Sequence, residues 1–352
     1  MKQPKKIIIL CLSAIGNTIL FTPALRILRN NYPDAQIDML VREKSFAEVL
    51  QGSRFVDNLF VLKEGGNPFK ILSVILKLRK EKYDVSITAF PSNRIGFNVI
   101  AFLINAKRRL VHKYKVGRFK TLSFLQNEKV TANERLHDVE QNINLLEYLG
   151  LNTKNEKRQL IFWTTKEDSD FAEKFFRQNK IKNKIIMGLQ PGTSYLAPYR
   201  RWPKENFAEL ADELIEKYNA KILIFEGPDE EGLGREVLDL MRNRGALIVK
   251  TSLKRAAAII EKCALFISTD SGLGHIAAAK NIPTIALFGP ANPTRTRPYG
   301  KMHRVIIKRN VCNECIKYPF WSTDSHTKCM DMKCLKAITI SDVLSDVKGM
   351  LD

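Results

Sequence analysis

Three stretches of this chain place hydroxyl, guanidinium, carboxyl and imidazole groups beside glycine. In LQPGTSYLAPYRRWPKENFAEL, residues 189–210, Thr193 and Ser194 follow Pro191-Gly192 and precede Arg200 and Arg201. Hydroxyls, backbone N–H groups and two guanidiniums form a cradle for a diphosphate, because arginine meets phosphate oxygens through paired, charge-assisted bonds. The same residues also read as a plain turn with solvated arginines. In FISTDSGLGHIAAAKNIPTIALFGPANPTRTRPYG, residues 266–300, Asp270 and His275 bracket Gly272, and Gly289-Pro290-Ala291-Asn292 follow. Asp270 reads either as a helix N-cap or as a ligand-facing carboxylate, and His275 either as a packed imidazole or as a polar group on the same rim. In LSAIGNTILFTPAL, residues 12–25, Gly16 allows close backbone approach, and the unbonded N–H groups opening the next helix favour an anion or a polar ligand. The lone glycine is not a dinucleotide fingerprint. Asn17 follows it, an amide that neither gives nor takes a proton near neutral pH.

The elements that must hold these loops alternate. Candidate strands at 6–12, 36–41, 57–62 and 84–89 are separated by helical patterns near 18–31, 44–51, 69–82 and 94–105. A second series has strands at 184–189, 221–226, 246–250, 264–268 and 283–288, with helices near 204–218, 229–243, 252–261 and 273–280. Such alternation is the mark of parallel α/β architecture. The polar stretch NTKNEKRQ, 152–159, reads as a linker, so two Rossmann-like, doubly wound domains are expected at 1–158 and 159–352, facing one another across a cleft. A final helix near 340–350 is expected to pack back on the first domain.

With 352 residues, 45% of them hydrophobic, the chain can fill two cores. Its formal charge of +20 calls for an anionic partner: nucleic acid, an acidic membrane surface or a phosphorylated substrate. No nucleic-acid motif with interleaved aromatics is present, so nucleic acid is not the expected partner. The start, MKQPKKIIILCLSAIGN, superficially matches a signal peptide, but the apolar run is short and passes directly into an amphipathic helix. No run reaches the roughly 18 apolar residues of a membrane span. A soluble or peripheral protein is expected. Cys11 and Cys263 sit in apolar strand contexts and read as core residues. Cys312, Cys315, Cys329 and Cys334 form C-x2-C-x13-C-x4-C with His326 between, a spacing compatible with structural zinc but also with thiols packing a loop; disulfides are disfavoured in a cytoplasmic setting.

Taken in order, IGNTILFTPALRILRNNYPDAQIDMLV, PGTS…RRWP and TDSGLGHIAAAKNIPTIALFGPANP resemble the ADP-heptose:lipopolysaccharide heptosyltransferases, glycosyltransferase family 9, over nearly the whole chain. The resemblance implies an α/β GT-B fold and a metal-independent, inverting transferase that moves heptose from ADP-heptose to a lipopolysaccharide-core or similar glycolipid acceptor. It implies donor contacts at Thr193, Ser194, Arg200, Asp270, Gly272, Leu273 and His275, and at Glu230 for the nucleoside. It needs no cofactor, since cationic side chains and helix N-termini would steady the leaving diphosphate. It also implies acceptor contacts around Ser13 and Gly16, with the basic cluster Lys107, Arg108, Arg109, His112, Lys113, Lys115, Arg118 and Lys120 as candidate surface for an anionic glycolipid at the cytoplasmic membrane face. At position 17 the family usually carries an aspartate base. Here Asn17 can orient the acceptor hydroxyl but cannot accept its proton. Three readings stay open: another carboxylate or imidazole serves, the proton leaves late to water or a substrate phosphate, or the protein binds without turnover. A GT-B enzyme for a different nucleotide sugar is the nearest competitor.

Overall fold

The computed structural model describes residues 3–62, 67–114, 121–194, 197–309, 311, 315 and 331–351. The chain divides into two units, with the break between Trp163 and Thr164, a few residues beyond the expected boundary at 158/159. Leu160 and Phe162 explain the difference, because both are buried and belong with the first unit.

The first unit is a parallel six-stranded sheet, β1 (Lys6–Cys11), β2 (Gln36–Val41), β3 (Asn58–Val61), β4 (Val85–Thr88), β5 (Arg108–Lys113) and β6 (Glu128–Thr131), in the order β3-β2-β1-β4-β5-β6. β1 lies at the centre, and Ile7 to Leu10 are wholly buried, as an apolar run flanked by strands on both sides requires. The second unit repeats the plan with β7 (Ile186–Gln190), β8 (Lys221–Phe225), β9 (Leu247–Val249), β10 (Leu265–Thr269), β11 (Thr284–Leu287) and β12 (Arg304–Ile306), ordered β12-β11-β10-β7-β8-β9. Both orders are doubly wound, and each reverses between its first and fourth strands. Ligands of such sheets bind at that reversal, past the carboxyl ends of the strands.

Three strands escape the apolar patterns. β5 opens on Arg108-Arg109, β6 is the four-residue edge EKVT, and β12 is three residues long. The helices Asp138–Tyr148 and Lys166–Gln178 are additional as well. The last helix, Ile340–Leu351, corrects another expectation: its buried Val343 and Val347 join the core of the second unit, alongside Leu287 and Ile306, rather than serving the first.

Candidate functional site

The reversal in the second unit joins two loops. Thr269, closing β10, donates its hydroxyl to the carbonyl of Gly192, two residues past β7, at 2.9 Å. Beyond that link, the guanidinium of Arg200 bonds Asp270 at 2.9 Å, with both side chains largely buried. Burial pushes the Asp270 carboxyl up, and Arg200 opposes that shift. From β8 comes Glu230, whose carboxylate accepts from the Gly227 N–H at 2.8 Å and from Gln190 Nε2 at 3.4 Å. Burial raises its pKa too, against the Gly227 N–H and the Arg201 charge. Gly192 has to be glycine here, because a Cβ would lie 2.5 Å from the Glu230 carboxyl carbon and 2.7 Å from Oε1.

The helix Gly272–Ala279 starts directly after Ser271 with no side-chain cap, so its first N–H groups are open to an anion, and Gly272 and Leu273 in the first turn are half-buried. Gly274 lets this helix lie tight on β10, where a Cβ would stand 2.6 Å from Ser268 Oγ. His275 is buried on the helix, its imidazole held neutral to about 4 by burial and by the neighbouring His303.

Thr193 departs from expectation. Its hydroxyl donates to the Ala197 carbonyl at 2.8 Å, while Arg201 donates to the Thr193 carbonyl at 3.0 Å, so the side chain fixes the turn instead of facing a ligand. Ser194, next to it, is exposed. Three residues of this region lie outside the sequence-derived set: Gln190, His303 and Glu226. The Glu226 carboxylate bonds the Gly234 N–H at 2.7 Å and thereby caps the helix Leu233–Leu240. A glutamate ending an apolar strand was the available signal for Glu226; His303 gave none.

In the first unit, the loop after β1 carries Ser13 and leads into the helix Ile15–Asn31 through Ala14, an N-cap that offers no side-chain bond. Gly16 and Asn17 occupy the first helical turn, half-buried, and the Asn17 amide bonds to no described residue. Cys11 lies beneath, its thiol bonded to Thr18 Oγ1 at 3.5 Å and pushed up to about 12 by burial, while Cys263 is likewise buried and inert.

The basic triplet does not join this rim. Arg108 pairs with Val85, at the start of β4, which pairs with Ile7, so Lys107 to Arg109 stand at the amino end of the sheet, opposite Ser13 and Asn17. Their charges are engaged there: Lys107 with Asp84 at 2.7 Å, Arg108 with both oxygens of Glu128 at 2.6 and 2.9 Å, and Arg109 with the Ala106 and Leu125 carbonyls. His112 is buried against the Gln141 carbonyl, and only Lys113 emerges at the carboxyl end of β5. Lys115, Arg118 and Lys120 lie outside the described residues, as do Cys312, Cys329 and His326. Cys334 is buried, close enough to Gly289 that a Cβ there would come within 2.9 Å of its sulfur. Among the described residues no three His, Cys, Asp or Glu side chains are grouped to hold a metal ion.

Two parallel doubly wound sheets, one with an arginine–carboxylate pair and an open helix start at its reversal, define a GT-B-like α/β protein. The family model described as glycosyltransferase family 9 (heptosyltransferase) matches residues 71–322, and the chain belongs to that family; it is a glycosyltransferase. Lipooligosaccharide heptosyltransferase 2 of Campylobacter jejuni subsp. jejuni serotype O:2 is 26% identical over 337 residues, covering 92% of this chain and 93% of its own length. Among solved structures, a glycosyl transferase family 9 protein from Veillonella parvula superposes with a TM-score of 0.83 at 23% identity, over 100% of this chain and 98% of the other. The E. coli heptosyltransferase WaaC, solved with ADP-2-deoxy-2-fluoro heptose, gives 0.70 at 18% identity, over 98% and 99%.

Proposed function

We propose that this protein transfers heptose from ADP-heptose, with inversion at the anomeric carbon, to the core of lipopolysaccharide or a similar anionic glycolipid. One observation carries the donor half: Glu230, seated on Gly192, and the Arg200–Asp270 pair meet at the strand reversal of the second unit. Relatives named for heptose transfer, and a neighbour solved with an ADP-heptose analogue, support the choice of donor.

In this reading Glu230 accepts bonds from the ribose hydroxyls. Arg200 and Arg201, with the N–H groups opening the helix Gly272–Ala279, take up the charge of the departing ADP as the bond from anomeric carbon to phosphate oxygen breaks. No metal is required for that role, and transfer should survive a chelator. Asn17 orients the acceptor hydroxyl that forms the new bond. The proton goes elsewhere, and Glu43 is a candidate by topology: it stands two residues past Val41, the partner of Cys11, at the same rim as Ser13, with its carboxylate accepting from Arg42 Nε at 3.0 Å. The protein works as a peripheral enzyme at the cytoplasmic membrane face; among the described residues no helix is long and apolar enough to cross a membrane.

Calorimetric titration with ADP, UDP, GDP and CDP tests the reading. ADP should bind preferentially, and Glu230→Ala or Asp270→Ala should abolish the preference. Preference for UDP or GDP would overturn the donor, and no nucleotide binding would overturn the enzyme.

A further inference from the structure

The helix Pro68–Lys80 has two apolar faces where one would suffice. Ile75 and Leu78 are buried in the core of the first unit, with Ile71 and Val74 packed beside them. One step around the helix, Phe69 (81% exposed), Leu72 and Leu76 form a second stripe that faces water. The neighbouring helix, Ile95–Ile104, shares that core through Phe97 and Ala101 and receives a bond from Arg79 to its Leu103 carbonyl. It carries its own outward line: exposed Ile95 and Phe102, with half-buried Val99 between them at helical spacing. Phe102 is shared with the Arg109 guanidinium of β5, 5.6 Å from its ring centre, so the stripe Phe69, Leu72 and Leu76 is the uncovered apolar line of this helix pair.

Charge indicates what covers it. Pro68–Lys80 contains Lys70, Lys77, Arg79 and Lys80 and no acidic residue. Lys70 and Lys80 have no ion-pair partner among the described residues, and Lys77 lies over the Phe60 ring. In a two-fold contact with another copy the patch would meet itself and set lysine against lysine. A bilayer carrying anionic headgroups satisfies both features, since aromatic and leucine side chains enter the acyl boundary while lysines reach the phosphates. Position agrees as well. Pro68 and Ile95 follow the carboxyl ends of β3 and β4, so both helices start at the rim that holds Ser13 and Asn17.

We propose that the exposed stripe of Pro68–Lys80 docks the first unit on an anionic membrane surface and so brings a lipid-anchored acceptor to the rim of β1. The inference rests on the first unit being the acceptor-binding unit.

The test is flotation of the full chain with vesicles of phosphatidylcholine alone and of phosphatidylcholine with phosphatidylglycerol, at low and moderate salt. The wild-type chain should float with the anionic vesicles and release as salt rises. Phe69→Gln/Leu72→Gln/Leu76→Gln should weaken the partition coefficient by more than about tenfold. Lys70→Gln/Lys80→Gln, at about fivefold for each lysine, should weaken it about 25-fold. Both variants should titrate ADP as wild type does; if the apolar variant loses ADP binding through misfolding, the lysine variant decides. Wild type that does not float, variants that float equally well, or a dimer in light scattering that the apolar variant dissociates would overturn the proposal. Protein that floats but binds no ADP would sink the donor assignment and leave this surface standing.

Discussion

Gly192→Ala separates the donor site from the fold around it. The added methyl would lie 2.5 Å from the Glu230 carboxyl carbon, well inside contact distance, with Oε1 at 2.7 Å. Backbone strain is not the issue, because Gly192 is not among the glycines in the left-handed region. The carboxylate must therefore swing away, and its bonds from Gly227 and Gln190 go with it. A hydrogen bond to a charged group is worth about 1.5–3 kcal/mol, so losing the ribose contact should weaken ADP binding by roughly 10- to 150-fold. Calorimetry on Gly192→Ala, Glu230→Ala and the double variant closes a cycle. Once Glu230 is alanine the three atoms nearest the new methyl are gone, so the double variant should bind no more weakly than Glu230→Ala alone. The melting temperature of Gly192→Ala should change little, since the Gly192 carbonyl that accepts from Thr269 is unaltered. Two independent, additive losses would refute the steric argument, and wild-type affinity in Gly192→Ala would refute the role of Glu230.

Asn17→Asp should restore a proton acceptor at the helix start and raise the turnover rate, within the roughly 10²–10⁴-fold that general bases supply, with a new acid limb in the pH–rate profile; unchanged turnover beside a dead Glu43→Gln would locate the base at Glu43. His275, neutral to about 4 in the fold and titrating near 6.5 unfolded, makes the unfolded chain the stronger proton binder between those values. Its contribution is complete above pH 6.5 and is lost as pH falls toward 4, on the order of 3 kcal/mol. Asp270 and Glu230, both raised by burial, act in the opposite direction, so the difference between wild type and His275→Gln isolates the histidine. Thermal melts from pH 7 to 4 should show a shallower loss in His275→Gln, and parallel curves would refute the assignment.

Legibility in the sequence followed the range of the interactions. β1, β7 and β10 are buried on both faces and announce themselves as apolar runs, so the segments that follow them, which contain Asn17, Thr193 and Asp270, could be placed from composition alone. The last two strands of the first unit, β5 and β6, could not. β5 begins with two arginines because its start is met by Glu128 and by the Ala106 and Leu125 carbonyls, partners that appear only once the sheet has formed. Read linearly, Lys107 to Arg109 look like a ligand-binding patch, whereas the parallel register carries them to the far end of the sheet. The same linear reading passed over Phe69, Leu72 and Leu76, which resemble core positions until the fold shows that Ile75 and Leu78 already fill the core. Gly192 illustrates the general case, since the residue that makes it obligatory, Glu230, arrives from the next strand. Local patterns fix which strand ends exist, while charge pairing and close approach across the sheet decide which of those ends hold a site. A basic triplet therefore argues for an anionic ligand only after its own sheet has been searched for carboxylates, and by that standard Lys70 and Lys80, which meet no carboxylate among the described residues, argue for a partner more strongly than Lys107 to Arg109.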